Sequence, residues 1–241
     1  MDDSLELHLD DDGAVSLERT LLHVSILEDL LDGAVRLEQP TFVFIAGGPA
    51  AGKGTLRRRL DLPAGAVGID VDEIRERLPE YERWRHERPE QAADLTHREA
   101  AQIAKRAVAA ALQLGCNTVL DAVGGDDRGK FSSKVTAALE RGFRVRVCYA
   151  TVPVKLALKR QEQRFGETGR RVPDDVLRAK HAEVSRGIKN IARLAVERIE
   201  VFDLSEEEPR LVARGAGGSG TDGLEAVDPA GYAAFLAKGR A

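Results

Sequence analysis

Phe42 to Thr55 reads FVFIAGGPAAGKGT, and the two halves of this stretch have different physical characters. Phe42–Ala46 is a short apolar run with the length of a buried strand. Gly47, Gly48, Pro49, Ala50, Ala51, Gly52 and Lys53 follow as G-x-x-x-x-G-K. The motif lies between that strand and a helical start at Leu56–Leu60, where a phosphate-cradling loop belongs. Small side chains leave successive backbone N–H groups free to ring a phosphate. Lys53 reaches the outer phosphates, and the positive end of the next helix adds to the field. Residues 47–55 are therefore the expected nucleotide-binding loop. Gly54 occupies the position after the lysine where a magnesium-binding Ser or Thr is usual, and Thr55 follows one step later. G-K-G-T after an early proline is a spelling found in small-molecule and nucleotide kinases.

Working outward, apolar runs at Ala66–Asp70, Asn117–Asp121, Arg144–Ala150 and Ile199–Asp203 read as further strands, with Leu211–Ala213 as a short edge strand. Helical spacing occupies Ala14–Ala34, Thr96–Leu114, Phe131–Glu140, Val154–Phe165, Pro173 to about Ala195, and Pro229–Lys238. Strands alternating with helices imply an α/β fold, a three-layer P-loop NTPase sandwich around a mainly parallel sheet of five to six strands. The expected organisation is a mobile acidic terminus (1–13), a helix packed on the core (14–38) and a P-loop domain (39–214). A Gly-rich loop and final helix (215–241) complete it. Within the central unit, 72–95 reads as an exposed charged excursion and 160–172 as a lid. His23 on the first helix reads as a packed or capping histidine.

Composition narrows the function classes. A net charge of -4 carries no global basic footprint for nucleic acid, and no window is long and apolar enough to span a membrane. The acidic start, with Asp2, Asp3, Asp10, Asp11 and Asp12, is unlike a secretory leader. Cys116 and Cys148 lack metal-ligand spacing and read as buried thiols of a reducing cytoplasm.

Ligands of parallel sheets gather at the carboxyl ends of the strands, where Asp70, Asp72 and Asp121 all fall. Asp121 suits the carboxylate that holds Mg2+ with ATP phosphates, with Thr55 as the second candidate ligand. Asp70 and Asp72 offer a base for a substrate hydroxyl, with an N-cap and first-turn acid as the alternative. Lys155, Lys159, Arg160 and Arg164, with Arg170 and Arg171 beyond them, concentrate positive charge suited to a transferring phosphate.

These residues resemble the zeta toxin kinases of bacterial toxin–antitoxin systems. The similarity runs from Gln39 to about Asp203, closest at GGPAAGKGT, IDVDEIRERLPEY, LGCNTVLD and RGFRVRVCYATVP, with ETGRRVP adding to it. The resemblance implies that Asp72 is the general base, Lys53 the P-loop lysine and Asp121 the strand-end acid. It makes Arg164 and Arg170 the phosphate-contacting arginines, with Arg171 a competitor for the latter. It also implies ATP-dependent phosphorylation of the 3′-hydroxyl of UDP-N-acetylglucosamine, and a small helical antitoxin as partner. Two positions depart from the family pattern. Val123 stands where a sugar-nucleotide-contacting threonine is expected, and Lys105 where a substrate-binding glutamate is expected. Other readings stay open: a different small-molecule kinase on this scaffold, such as an antibiotic or nucleotide kinase, or a nucleotide-dependent switch suggested by D-x-x-G at Asp121–Gly124. A catalytically silent nucleotide-binding protein is a third. The helix at 14–34 is also a candidate for blocking the nucleotide site in cis.

Overall fold

The computed structural model describes residues 3–10, 12–168, 172–218, 220 and 223–240, with the side chains of 166–168 outside that description. Its strands are β1 (Thr41–Ala46), β2 (Val67–Ile69), β3 (Thr118–Ala122), β4 (Arg144–Thr151), β5 (Arg198–Asp203), β6 (Arg210–Gly215) and β7 (Leu224–Ala226). They form one sheet in the order β2-β3-β1-β4-β5-β6-β7. The first five are parallel, whereas β6 and β7 run antiparallel to their neighbours. The sheet is therefore a seven-stranded mixed one, larger than the five to six strands expected. Leu224–Ala226 is too short to show an alternating pattern, and by pairing with β6 it takes the edge position expected of Leu211–Ala213.

Helices α1 (Leu17–Leu31), α2 (Lys53–Arg59), α3 (Val71–Arg75), α4 (Pro79–Glu87), α5 (Pro89–Leu114), α6 (Lys130–Glu140), α7 (Val154–Thr168), α8 (Asp174–Ile191) and α9 (Pro229–Ala237) cover both faces. β1 shows why. Phe42, Phe44 and Ala46 point into a core shared with α1, α5, α6, α8 and α9, while Val43 and Ile45 point into one shared with α2 and α7. Alternation along one fully buried strand thus builds two apolar layers. Helix α7 continues through Gly166 to Thr168, past the end expected at Phe165. Among the described residues no helix is long and apolar enough to cross a membrane.

The charged segment 72–95 departs most from expectation. It is helical, as α3, α4 and the first turns of α5, and most of its charged side chains are exposed, but one face of it is covered. Ile74, Leu78, Trp84 and Ala92 are buried. So is Glu80, because Arg19 of α1 meets it at 2.6 Å and reaches Glu99 of α5 with Nε at 2.6 Å and Nη2 at 2.8 Å. His23 Nε2–H adds a 2.6 Å bond to Glu99, and His8 meets Glu80 at 2.7 Å. His23 is thus a packed histidine holding a buried carboxylate. Composition reads these charges as solvated, but pairing is what lets them be buried.

The same network adds to the reading of α1 as a helix packed on the core. Leu22, Leu27, Leu30 and Leu31 pack against the core, whereas Leu17, Leu21 and Val24 are 76%, 59% and 43% exposed, and Arg19, His23 and Ile26 face inward. All of the contacts named place α1 against α4 and α5, not over residues 47–55, so the structure lends no support to a cis block of the nucleotide loop. The terminal segment is likewise packed: Ser4 N donates to Leu95 O at 2.8 Å, and Leu5 is buried. Its acidic composition suggests a tail, but Arg98 of α5 reaches Asp3 at 3.2 Å and Glu6 at 3.0 Å, although Leu7 and Leu9 stay exposed.

Burial pushes the Glu99 carboxyl up, but hydrogen bonds from His23 and Arg19 outweigh it and hold the group down to about 2. A depressed folded-state value adds stability above the unfolded value of 4.5 and loses it as pH falls toward 2. Glu99→Gln is expected to cost about 1–3 kcal/mol at pH 7, since it removes the charge that Arg19 and His23 share while Glu80 still holds the guanidinium. In urea denaturation the gap from the parent should shrink between pH 4.5 and 2. Equal stability at pH 7 would show that the network contributes nothing.

Candidate active site

The phosphate loop leaves β1 at Ala46 and enters α2 at Lys53. Ala50 has φ 55° and Gly52 φ 90°, and such left-handed residues turn successive N–H groups toward a common centre. Ala50 carries a Cβ in that region, a strain of the kind found at functional sites. Lys53 Nζ lies 3.4 Å from Gly47 O, folded back over the loop.

Three walls press on this loop. A Cβ at Gly47 would meet Ala150 O at 2.8 Å, and one at Gly52 would meet the Leu204 side chain at 3.2 Å. A Cβ at Gly48 would lie 2.5 Å from the His181 ring. Gly48 is not left-handed, so the imidazole alone demands glycine there. His181 belongs to α8 and donates from Nε2 to Pro49 O at 2.9 Å. Burial drives its pKa down to about 4, against the pull of that carbonyl, so the ring is a neutral donor at physiological pH. Sequence reading missed it: 132 residues separate the two partners.

The acids converge through strand register. Ile69 pairs with Leu120 and Ile45 with Asp121, so Asp70 lies alongside Asp121 at the carboxyl end of the sheet. Burial, then the neighbouring Asp70, raises the Asp121 carboxyl to about 6, with Lys53 and Arg57 opposing and Glu73 adding to the rise. Asp121 Oδ1 is buried without a hydrogen-bond partner among the described residues. An orphaned carboxylate oxygen beside a phosphate loop fits a divalent cation, and Mg2+ needs only one or two protein groups when phosphates supply the rest. Thr55 sits in the first turn of α2, where its hydroxyl accepts from Arg58 Nη2 at 3.3 Å.

Asp70 and Asp72 take the positions of an N-cap and a first-turn acid. Asp70 is the N-cap of α3 and accepts from Asp72 N at 2.8 Å. That bond turns Asp72 into the first helical turn, where its carboxylate is held from two sides. Arg75 Nη1 donates to Oδ1 at 2.8 Å, and Arg164 Nη2 of α7 reaches Oδ2 at 3.7 Å. Arg75 is buried, donates from Nη2 to His97 Nδ1 at 3.2 Å and stacks over Tyr81. This positioning arginine also escaped sequence reading, although its i,i+3 spacing from Asp72 was an available signal. Arg170 and Arg171 lie outside the described residues. Across that gap, Gln161 and Val172 exchange two hydrogen bonds, Nε2 to Val172 O at 2.7 Å and Val172 N to Oε1 at 3.2 Å.

Val123 is exposed just beyond Asp121, and Lys105 is exposed on α5. Gly124, the glycine of the D-x-x-G reading, has φ 78°, and a Cβ there would meet Ala46 Cβ at 2.5 Å. Packing against β1 accounts for that glycine without a switch.

Gly48→Ala is expected to lose about 1–3 kcal/mol by overpacking against His181. Adding His181→Ala should recover part of the loss, with a coupling of about 1–2 kcal/mol in a double-mutant cycle. Additive losses in chemical denaturation would show that the ring does not constrain the loop.

The zeta toxin family model matches residues 27–211. No curated protein matches the chain in sequence. Among solved structures, a chain of the AvrRxo1-ORF1:AvrRxo1-ORF2 complex with sulphate ions is 18% identical with a TM-score of 0.75, over 98% of this chain and 82% of that one. The same complex with ATP matches to the same extent. A chain from the PezAT toxin–antitoxin system of Streptococcus pneumoniae is 18% identical with a TM-score of 0.67, over 83% of this chain and 82% of that one. The structural likenesses show a shared P-loop kinase fold, and the family match spans well over half of the sequence: the chain belongs to the zeta toxin family and is a phosphotransferase of that fold.

Proposed function

We propose that the protein is an ATP-dependent small-molecule kinase that transfers the γ-phosphate to a hydroxyl of a sugar nucleotide such as UDP-N-acetylglucosamine. The observation that carries this reading is Asp72, held between Arg75 and Arg164 beside a complete phosphate loop. In the proposed reaction Asp72 accepts the proton of the acceptor hydroxyl as its oxygen bonds to the γ-phosphorus. The bond from the γ-phosphorus to the β–γ bridging oxygen breaks, and ADP departs with that electron pair. Lys53 binds the outer phosphates and Arg164 neutralises charge on the phosphoryl group in flight. Asp121 and Thr55 would hold Mg2+, which supplies charge neutralisation when bound. Catalysis resides in residues 39–214, with 160–172 as the lid over the phosphates.

A second reading is favoured by a specific pair of positions. Val123 and Lys105 replace a hydroxyl and a carboxylate that the family pattern uses on the sugar nucleotide, which suits a different hydroxyl acceptor on the same phosphate machinery. A protein partner is proposed by extension from solved structures described as a toxin–antitoxin system and as a two-protein complex, and a cytoplasmic setting from the two free, buried thiols.

The deciding experiment is transfer of γ-phosphate from ATP with Mg2+ to UDP-N-acetylglucosamine, with UDP-glucose and water alongside. Transfer to the acetylated sugar is the expected result. Asp72→Asn should keep ATP binding and lose transfer by about 10²–10⁴-fold, the usual worth of a general base. Binding of ATP without transfer to any of the three would move the search to other acceptors.

The raised Asp121 pKa gives the site a pH signature. Below about 6 the carboxyl is protonated and loses its affinity for a cation; above it the charge is present. Mg2+-dependent ATP binding should therefore weaken by up to about tenfold per pH unit below that point, by linkage. Calorimetry from pH 5 to 8 should show this for the parent but a flat, weak profile for Asp121→Asn. A flat profile in the parent would remove Asp121 from the cation site.

A further inference from the structure

The chain beyond residue 211 lies outside the family match, yet its last turn reaches the supports of the phosphate loop. A 3-10 turn, Lys238–Arg240, follows α9. Lys238 Nζ donates to Thr151 Oγ1 and to Val152 O at the carboxyl end of β4. The next residue bonds the other way: Gly239 N donates to Ser185 Oγ on α8 at 3.2 Å, and that hydroxyl donates to Leu236 O at 3.2 Å. One turn of backbone therefore ties the end of β4 to α8.

Those two elements supply the walls of the loop. Ala150, immediately before Thr151, underlies Gly47. Thr151 O accepts from Leu204 N at 2.9 Å, and the Leu204 side chain backs Gly52. From α8, His181 lies one helical turn before Ser185, packs on Gly48 and holds Pro49 O. Tyr232 and Phe235 of α9 are buried in the main core, which anchors the turn itself.

We propose that the C-terminal turn is a cis-acting support that holds the phosphate loop in its binding conformation, with Lys238 and His181 as positioning residues. The link to catalysis rests on the reading of residues 47–55 as an ATP site; the link to loop order does not. Neither residue touches the reacting atoms. Their contribution is preorganisation: a loop already shaped around a phosphate has less conformational freedom to lose on binding.

The test compares Lys238→Met, His181→Phe and Ser185→Ala with the parent, and His181→Gln as the variant that keeps an N–H donor. Amide hydrogen exchange is followed across residues 47–55, with Val67–Ile69 and Thr118–Leu120 as internal references. Lys238→Met and His181→Phe should speed exchange in the loop by about fivefold or more while the reference strands stay slow, a local rather than global opening. His181→Gln should restore slow exchange. Under the same substitutions KM for ATP should rise by about tenfold with kcat within about twofold, as expected when preorganisation is lost. If Lys238→Met fails to fold, Ser185→Ala cuts the α8 side of the tie and reads out the same way. Loop exchange unchanged in the folded variants would overturn the proposal. A parent that binds no ATP would overturn the kinase reading, and the exchange comparison would still decide this one.

Discussion

Parallel pairing of β1 with β3 on one side and β4 on the other sets Ile45 opposite both Asp121 and Cys148, and the functional groups are placed relative to that register. Because the strands run the same way, their carboxyl ends open at one edge, where the phosphate loop leaves β1. Asp121 stands one strand over, and Asp70 follows β2 beside it. A shift of one residue in β3 would turn Asp121 to the opposite face of the sheet. The buried apolar side chains of β1, divided between two cores, make such a shift costly. Hydrophobic packing is thus what fixes the spacing between a phosphate loop and its acid.

Charge burial is the second organising constraint. Asp121 carries a carboxylate oxygen without a hydrogen-bond partner among the described residues, in a place where burial resists its ionisation, an arrangement that a cation would relieve. Glu80 and Glu99 are also buried, but guanidinium and imidazole groups satisfy them. The two situations distinguish site from scaffold. Asp72 lies between them, half-exposed and held by arginines from two elements, so α7 and α3 meet at the carboxylate proposed as the base.

Segment 72–95 shows how composition misleads when charges pair. Its density of Glu and Arg reads as solvated surface, which holds for most of those side chains but not for Arg75 and Glu80. Here Glu80 meets Arg19 from 61 residues away, and Trp84 fills the space beneath. Helix α1 shows the converse. Its leucines at helical spacing divide: Leu22, Leu27, Leu30 and Leu31 pack on the core, Leu17 and Leu21 face solvent, and Arg19 and His23 face inward. Periodicity reports that a helix has two faces; partners decide which one is covered.

What the sequence by itself determined was local in origin. A strand, a glycine-rich turn and a helix start are encoded within fourteen residues, so the phosphate loop, the α/β class and the strand-end acids were legible without coordinates. The N-cap at Asp70 was legible for the same reason. Gly48 was legible as part of a motif, but the demand for glycine there comes from His181, far along the chain. The reach of Arg164 to Asp72, the seventh strand, and the tie from Lys238 to the end of β4 were decided by tertiary structure alone. Each depends on groups that come together only when the sheet closes and the helices settle on it, and no local pattern records a contact between residues 86 or 132 positions apart.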